Sequence, residues 1–238
     1  MNKEKYGLSL PCFKIWGLLC LLTIFSSALM ADPLLVAVRS LDMNMFNLHI
    51  NGQPDVTATD SAGMTALHHA CVLGAVDMVA ALLKKGANPS QLSENGNNAM
   101  HYAVSTAQLC FDPQPQKSDV VICPLTIPQL LASAGADVNL LNKDGEAPLH
   151  IAARNGLVGV IATLIQAGAD PNIKNKHGAT PLHIVGGMMS HIAAQVLILK
   201  GADLDATNNE LMKPVDIAVK SNNALLINII KQYEHKKF

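Results

Sequence analysis

One tetrapeptide pattern recurs along this chain at a nearly constant interval, and that recurrence limits the fold more than any other feature. Thr65-Ala66-Leu67-His68, Asn98-Ala99-Met100-His101, Ala147-Pro148-Leu149-His150, Thr180-Pro181-Leu182-His183 and Lys213-Pro214-Val215-Asp216 begin 33, 49, 33 and 33 residues apart. Gly63, Gly96, Gly145 and Gly178 precede the first four tetrads by two residues and keep the same intervals. A second marker follows at Gly86-Ala87-Asn88, Gly135-Ala136-Asp137, Gly168-Ala169-Asp170 and Gly201-Ala202-Asp203, 21 residues after the tetrad in every unit but the second, where the distance is 37. Two markers on one period describe a unit of about 33 residues that cannot bury its apolar face alone and must stack on its neighbours.

The physics of the unit is readable from its residues. Pro148 and Pro181 stand where a first-turn proline forfeits no hydrogen bond, Gly74 and Gly156 separate a first helix from a second, and Gly86, Gly135, Gly168 and Gly201 suit left-handed C-terminal caps. Val79, Leu82 and Leu83, then Val160, Leu164 and Ile165, then Val196, Leu197 and Ile198 give the second helices their apolar faces. The pattern resembles the ankyrin repeat family, with its T-P-L-H-x-A first helix, second helix ending in L-L-x-x-G-A-D, and hairpin leading onward. The resemblance implies an all-α solenoid of stacked helix pairs joined by β-hairpin turns. It places four repeats over 60–208, an N-terminal capping repeat over 32–59, and C-terminal capping helices and tail over 209–238. Leu211 stands where the turn glycine is expected, a departure suited to a terminal unit with no following hairpin to support.

The second repeat carries 16 extra residues, with Pro113, Pro115, Pro124 and Pro128, so a loop is expected over about 107–125, with a helix restarting near Thr126. Two readings stand: a functional loop on a rigid scaffold, or a tolerated insertion, since each doubling of loop length costs only about 0.6 kcal/mol. Cys110 and Cys123 flank the loop and are placed to close it by a disulfide in an oxidising compartment, worth roughly 3 kcal/mol on the chain-entropy account. Cys71 falls where the family usually has Ala, which implies a buried, inert thiol.

The compartment is suggested by residues 1–31, where Lys3, Lys5 and Lys14 precede an uncharged apolar run over 15–30. Sixteen residues span about 24 Å as a helix, short of a bilayer core of roughly 30 Å, which favours a cleaved signal peptide with small residues at Ser26, Ala28 and Ala31. An uncleaved signal anchor is the alternative. Cys12 and Cys20 lack the small residue before them that lipidation needs. The expected location is therefore periplasmic or secreted, or membrane-anchored if the leader stays, and a lone compact array behind such a leader resembles small bacterial periplasmic members of the family.

Composition excludes other classes. The 50% hydrophobic content is too high for a disordered chain, a net charge of -1 gives no basic field for nucleic acid, and five cysteines are too few for a disulfide scaffold. The nucleophile-elbow, phosphate-loop and dinucleotide motifs are missing, so neither an enzyme nor a cofactor is expected. Gly186-Gly187 reads as close helix packing. His68, His101, His150 and His183 sit in the tetrads and read as structural, and neither CxxC nor HExxH spacing supports metal; a metal-binding or enzymatic role for His68 and His69 is the least favoured reading. Asn98, Ala147 and Lys213 replace the tetrad Thr, which predicts looser turns in three units.

The resemblance implies a protein partner on the concave face made by hairpin tips and first helices. The positions it transfers are Ser61, Ala62, Met64 and Val72; Glu94, Asn95, Asn97 and Ser105; Lys143, Asp144, Glu146 and Arg154; and Lys176, His177, Ala179 and Met188. Surface recognition by a monomer is expected, with a resident partner protein or a host protein as the target, and no contact with nucleic acid.

Overall fold

A computed structural model describes residues 32–107, 125–187 and 190–234 of the 238. The leader, the inserted loop with Cys110 and Cys123, and Met188 lie outside the described residues.

Twelve helices among the described residues form six pairs: α1 (Pro33–Arg39) and α2 (Met43–Ile50), α3 (Ala66–Val72) and α4 (Val76–Lys84), α5 (Ala99–Thr106) and α6 (Thr126–Ser133), α7 (Pro148–Arg154) and α8 (Val158–Gln166), α9 (Pro181–Gly186) and α10 (His191–Leu199), α11 (Pro214–Lys220) and α12 (Ala224–Glu234). First helices pack on first helices and second on second, giving two layers around one core that runs from Leu34 to Ile230. Short helices of this kind are marginal alone, and their stability comes from the packed face. Leu67, Met100, Leu149 and Leu182 from the first helices meet Leu82, Leu131, Leu164 and Leu197 from the second, all at most 1% exposed. Local signals set the ends. Asp32 Oδ1 accepts from the N–H of Leu34 (2.8 Å) and Leu35 (3.2 Å) to start α1, and Asp42 does the same for Asn44 and Met45 in α2. Pro128 is buried in the first turn of α6, where its missing N–H leaves no bond unmade. Gly186 ends α9 in close contact with α11, whereas Gly187 is the exposed cap residue, outside the helix.

No strand is present among the described residues. The turns between pairs are hairpin tips closed by two backbone bonds each: the N–H of Asp60, Ser93, Asn142, Asn175 and Asn208 donates across the tip to the carbonyl of Met64, Asn97, Glu146, Ala179 and Met212, and the N–H of Gly63, Gly96, Gly145, Gly178 and Leu211 returns to the carbonyl of the first residue, all at 2.8–3.0 Å. Successive tips also bond sideways: Glu94 N–H to Ala62 C=O, Lys143 N–H to Asn95 C=O and Asn209 N–H to His177 C=O, each at 3.0 Å. This lateral zipper explains the turn glycines. Gly96 has φ +73°, and a Cβ there would lie 2.9 Å from the Lys143 nitrogen of the next tip, so both the left-handed backbone and the close approach demand glycine.

Leu211 corrects the expectation that the last unit would give up its turn. The turn is kept, with Leu211 at φ 59° and its N–H on the Asn208 carbonyl. Only the close-approach requirement is lifted, because among the described residues no further tip packs on this one and the side chain stays 81% exposed. Left-handed geometry costs a residue with a Cβ about 1–2 kcal/mol, partly offset in a Gly variant by a more flexible unfolded chain. Leu211→Gly is therefore expected to stabilise the protein by about 0.5–1 kcal/mol, while Gly96→Ala should destabilise it by about 2 kcal/mol or more, since it adds a backbone clash to the same strain. Urea unfolding of the two variants checks both signs.

Candidate functional site

The hairpin side of the stack is built on the tetrad histidines. In each of the first four tetrads the Nδ1 atom accepts the N–H of the tetrad's first residue: Thr65 to His68 (2.9 Å), Asn98 to His101 (3.3 Å), Ala147 to His150 (3.1 Å) and Thr180 to His183 (3.2 Å). The Nε2 atom faces a carbonyl beyond its own helix pair: Gln91 for His68 (3.0 Å), Glu146 for His101 (2.9 Å), Ala179 for His150 (3.1 Å) and Met212 for His183 (3.0 Å). A carbonyl can only accept, so Nε2 carries the proton and the rings are neutral. Burial also disfavours the charged form. It pushes His68 down to about 4 and lowers His101, His150 and His183, against the raising effect of the carbonyls.

Each of the three turns expected to be looser is held by a side chain of its own tetrad. Asn98 Oδ1 caps α5 by accepting the His101 N–H at 3.2 Å, and its Nδ2 adds a bond to the Asp137 carbonyl at 2.9 Å. In the last unit Asp216 stands in for histidine and its carboxylate accepts the Lys213 N–H at 2.8 Å. Neither Ala147 nor Lys213 has a side-chain acceptor to offer, and the His150 ring accepts the Ala147 N–H at 3.1 Å much as Asp216 accepts that of Lys213.

A second series escaped the sequence reading although it shares the period. Asp60, Asn142, Asn175 and Asn208 begin the tips, and each Oδ1 accepts two backbone N–H groups of its own tip, as Asn142 does from Asp144 and Glu146, both at 3.0 Å. Ser93 occupies this place in the second unit and receives the Tyr102 hydroxyl at 2.9 Å. Asn139 and Asn172 join successive units, each donating Nδ2 to a Gly carbonyl (Gly168, Gly201) and accepting the N–H of Asp170 or Asp203 on Oδ1.

On this frame Ser61, Ala62, Glu94, Asn95, Lys143, Asp144, Lys176 and His177 are exposed at the tips, as is Ser105 on α5. Met64, Val72, Asn97, Glu146 and Ala179 are half-buried. Several are engaged within the chain. Glu146 and Arg154 form a two-pronged ion pair, with Arg154 Nη1 at 2.7 Å from Oε2 and a second contact between Nη2 and Oε1. The Arg154 guanidinium holds the Glu146 carboxyl below its usual range and Glu146 raises Arg154 in turn. Asn97 Oδ1 accepts from Asn142 Nδ2 at 2.9 Å, and Ser105 donates to the His101 carbonyl. The place in α9's unit equivalent to Val72, Ser105 and Arg154 is Gly187, one residue before Met188, so the sequence register slipped there by one. His69, named with His68 in the metal-binding or enzymatic reading, is pinned within the chain: its Nε2 lies 2.8 Å from Asp60 Oδ2.

The row the sequence did not single out is the one equivalent to His69. Tyr102, Ile151, Ile184 and Ile217 are half-buried at this position, with the Tyr102 ring edge-on to His68 at 5.3 Å. A period-33 alignment of the helix position next to the tetrad His would have exposed this stripe. Cys71 is fully buried, and burial pushes its thiol far up, so it is unreactive. Among the described residues no group of three or more His, Cys, Asp or Glu side chains could hold a metal ion. No helix among them is long and apolar enough to cross a membrane.

A family profile for ankyrin repeats, in three copies, matches residues 34–111 and 124–208. The chain belongs to the ankyrin-repeat family. Human ankyrin repeat and SOCS box protein 16 is 38% identical over 96 residues, 40% of this chain and 18% of that protein. An ankyrin repeat protein of Rickettsia felis is 39% identical over 62 residues, 26% of this chain and 22% of its own length. A Dictyostelium discoideum protein named as a serine/threonine-protein kinase is 32% identical over 209 residues, 85% of this chain but 23% of that protein. The chain spans about a fifth of the length of these relatives. The ankyrin repeat is an interaction module, in general without catalysis of its own, so a protein partner is the ligand class.

The four neutral, buried ring systems set a pH dependence. Their folded-state values lie below the ordinary His value near 6.5, so the unfolded chain takes up protons first as pH falls. The stability they allow is complete above about pH 6.5 and is lost progressively toward pH 4, the value for His68. Urea unfolding between about pH 7 and pH 5 should show stability falling with acid, and His101→Gln should make that slope shallower.

Proposed function

We propose that this ankyrin array is an exported, non-enzymatic scaffold that holds a partner protein on its hairpin face. The observation that carries the reading is the stripe of half-exposed Ile151, Ile184 and Ile217 beside exposed, charged tips at Lys143, Asp144, Lys176 and His177. An apolar strip flanked by polar rims is the usual anatomy of a protein contact, and a surface held by hydrogen bonds between successive units reorganises little on binding. The Arg154–Glu146 pair sits at the edge of the stripe, where its exposed guanidinium is available to a carboxylate of the partner. Capture on the immobilised protein tests this: Lys143→Glu and Arg154→Glu should each weaken retention of the bound protein about tenfold or more, whereas Lys84→Gln on the second-helix layer should leave it unchanged. Equal retention by all three overturns the reading.

Export is supported by the basic residues and apolar run of the leader, and the Cys110–Cys123 bridge by the oxidising compartment that export implies. The chain recovered from periplasm or medium is expected to begin after the leader and, denatured without reductant, to present one free thiol, that of Cys71. Retention in the cytoplasm refutes export, and three free thiols in an exported chain refute the bridge.

A further inference from the structure

The stripe on the hairpin face offers one apolar side chain per unit, and the charge beside it changes sign along its length. Tyr102, Ile151, Ile184 and Ile217 stand on successive first helices, α5, α7, α9 and α11, and each is half-buried. Packed helices lie about 8–10 Å apart, so the row repeats on that spacing. Tyr102 is fixed in the row by its hydroxyl, which donates to Ser93 Oγ at 2.9 Å, and by the edge-on contact with the His68 ring.

That spacing selects the shape of what can lie along the stripe. A helix offers an apolar side chain every three or four residues, about 5–6 Å apart, and a strand every second residue, about 7 Å apart, so either leaves side chains between the rungs. A strand would also lack an edge to join, since no strand is present among the described residues. A polyproline II segment turns once in three residues at about 3.1 Å per residue, which sets one side chain on the face about every 9.3 Å. Grooves that receive such segments are lined by aromatic rings, and Tyr102 supplies one.

Charge gives the segment a direction. Counted from the residue before each tip to the end of its first helix, the units of α3 and α5 hold Asp60 and Glu94 and no Lys or Arg, a net of -2. The unit of α9 holds Lys174 and Lys176, both exposed, and no carboxylate, a net of +2. The units of α7 and α11 carry equal numbers of each sign. A segment laid along the stripe therefore meets a negative end and a positive end, and opposite charges on it fix which way it runs.

We propose that the partner docks through an extended, polyproline II-like segment of about ten residues, with an apolar side chain at every third position on the stripe, basic residues toward Asp60 and Glu94, and acidic residues toward Lys174 and Lys176. This rests on the hairpin face as the binding surface, and it adds the form and polarity of what that face takes.

A random library of displayed peptides of about twelve residues, long enough to span four units, tests it by selection on the immobilised protein. Enriched sequences should place apolar residues three apart, with Lys or Arg toward one end and Asp or Glu toward the other. A synthetic peptide of that consensus should bind Lys176→Glu and Glu94→Lys, both changed at exposed tip residues, about tenfold more weakly than the parent protein. Exchanging its acidic residues for lysine should restore binding to Lys176→Glu, which also shows that the variant is folded. Apolar residues alternately three and four apart, the spacing of a helix, overturn the proposal, as does a consensus peptide indifferent to both variants. A library that yields no binder also overturns it, and the retained protein then separates the two readings: if Lys143→Glu still releases that protein, the hairpin face binds by another shape, and if it does not, the face itself is refuted as the binding surface.

Discussion

The histidine at the end of each tetrad ties two scales of the structure together. Its Nδ1 completes the cap of its own helix, and its Nε2–H reaches a carbonyl 23 to 45 residues further on, outside its own helix pair. Each such bond is worth about 1 kcal/mol net, but leaving a buried ring nitrogen or carbonyl unpaired would cost more. Helix start and repeat spacing are thereby coupled, and a unit that folds locally also presents the donor that its neighbour needs. Neutral rings are a condition of this coupling, because Nδ1 accepts the tetrad's backbone N–H only while unprotonated and burial penalises the charged ring.

The hairpin zipper depends on the same spacing. The tips lie so close that Gly96 has no room for a Cβ, and the Asx residues Asp60, Asn142, Asn175 and Asn208 absorb the N–H groups that the tight turns leave over. Leu211 shows which of glycine's two properties matters where. With no further tip beyond it among the described residues, a side chain is accommodated and only the left-handed backbone remains as strain. The first and last described units thus follow the rules of the inner ones minus a neighbour, and that subtraction leaves Val36, Met45 and Val219 open.

Much of the fold was legible because its determinants are local and periodic: tetrads, turn glycines, the glycines between helices, and apolar faces at helical spacing. Legibility was poorer where substitutes do the same work by different chemistry. Asn98 caps as well as Thr does, and Asp216 takes over from histidine, yet both read as losses when only the consensus is compared. On the hairpin face the tip residues were identified by register, but the stripe of Tyr102, Ile151, Ile184 and Ile217 was passed over, since aliphatic residues beside buried ones read as core.

What the sequence by itself determined is the unit, its period, its helix boundaries and the family, because each rests on interactions within about 33 residues that a repeated pattern makes visible. Only the tertiary structure decided which surface residues are free. Glu146 is claimed by Arg154, His69 by Asp60 and Asn97 by Asn142, and these pairings follow from side-chain direction and unit-to-unit distance. It also decided that Val219 lies open while its counterparts in the inner units, Cys71, Val104 and Ala153, are sealed, because burial in a stacked array belongs to the junction between units and not to the residue.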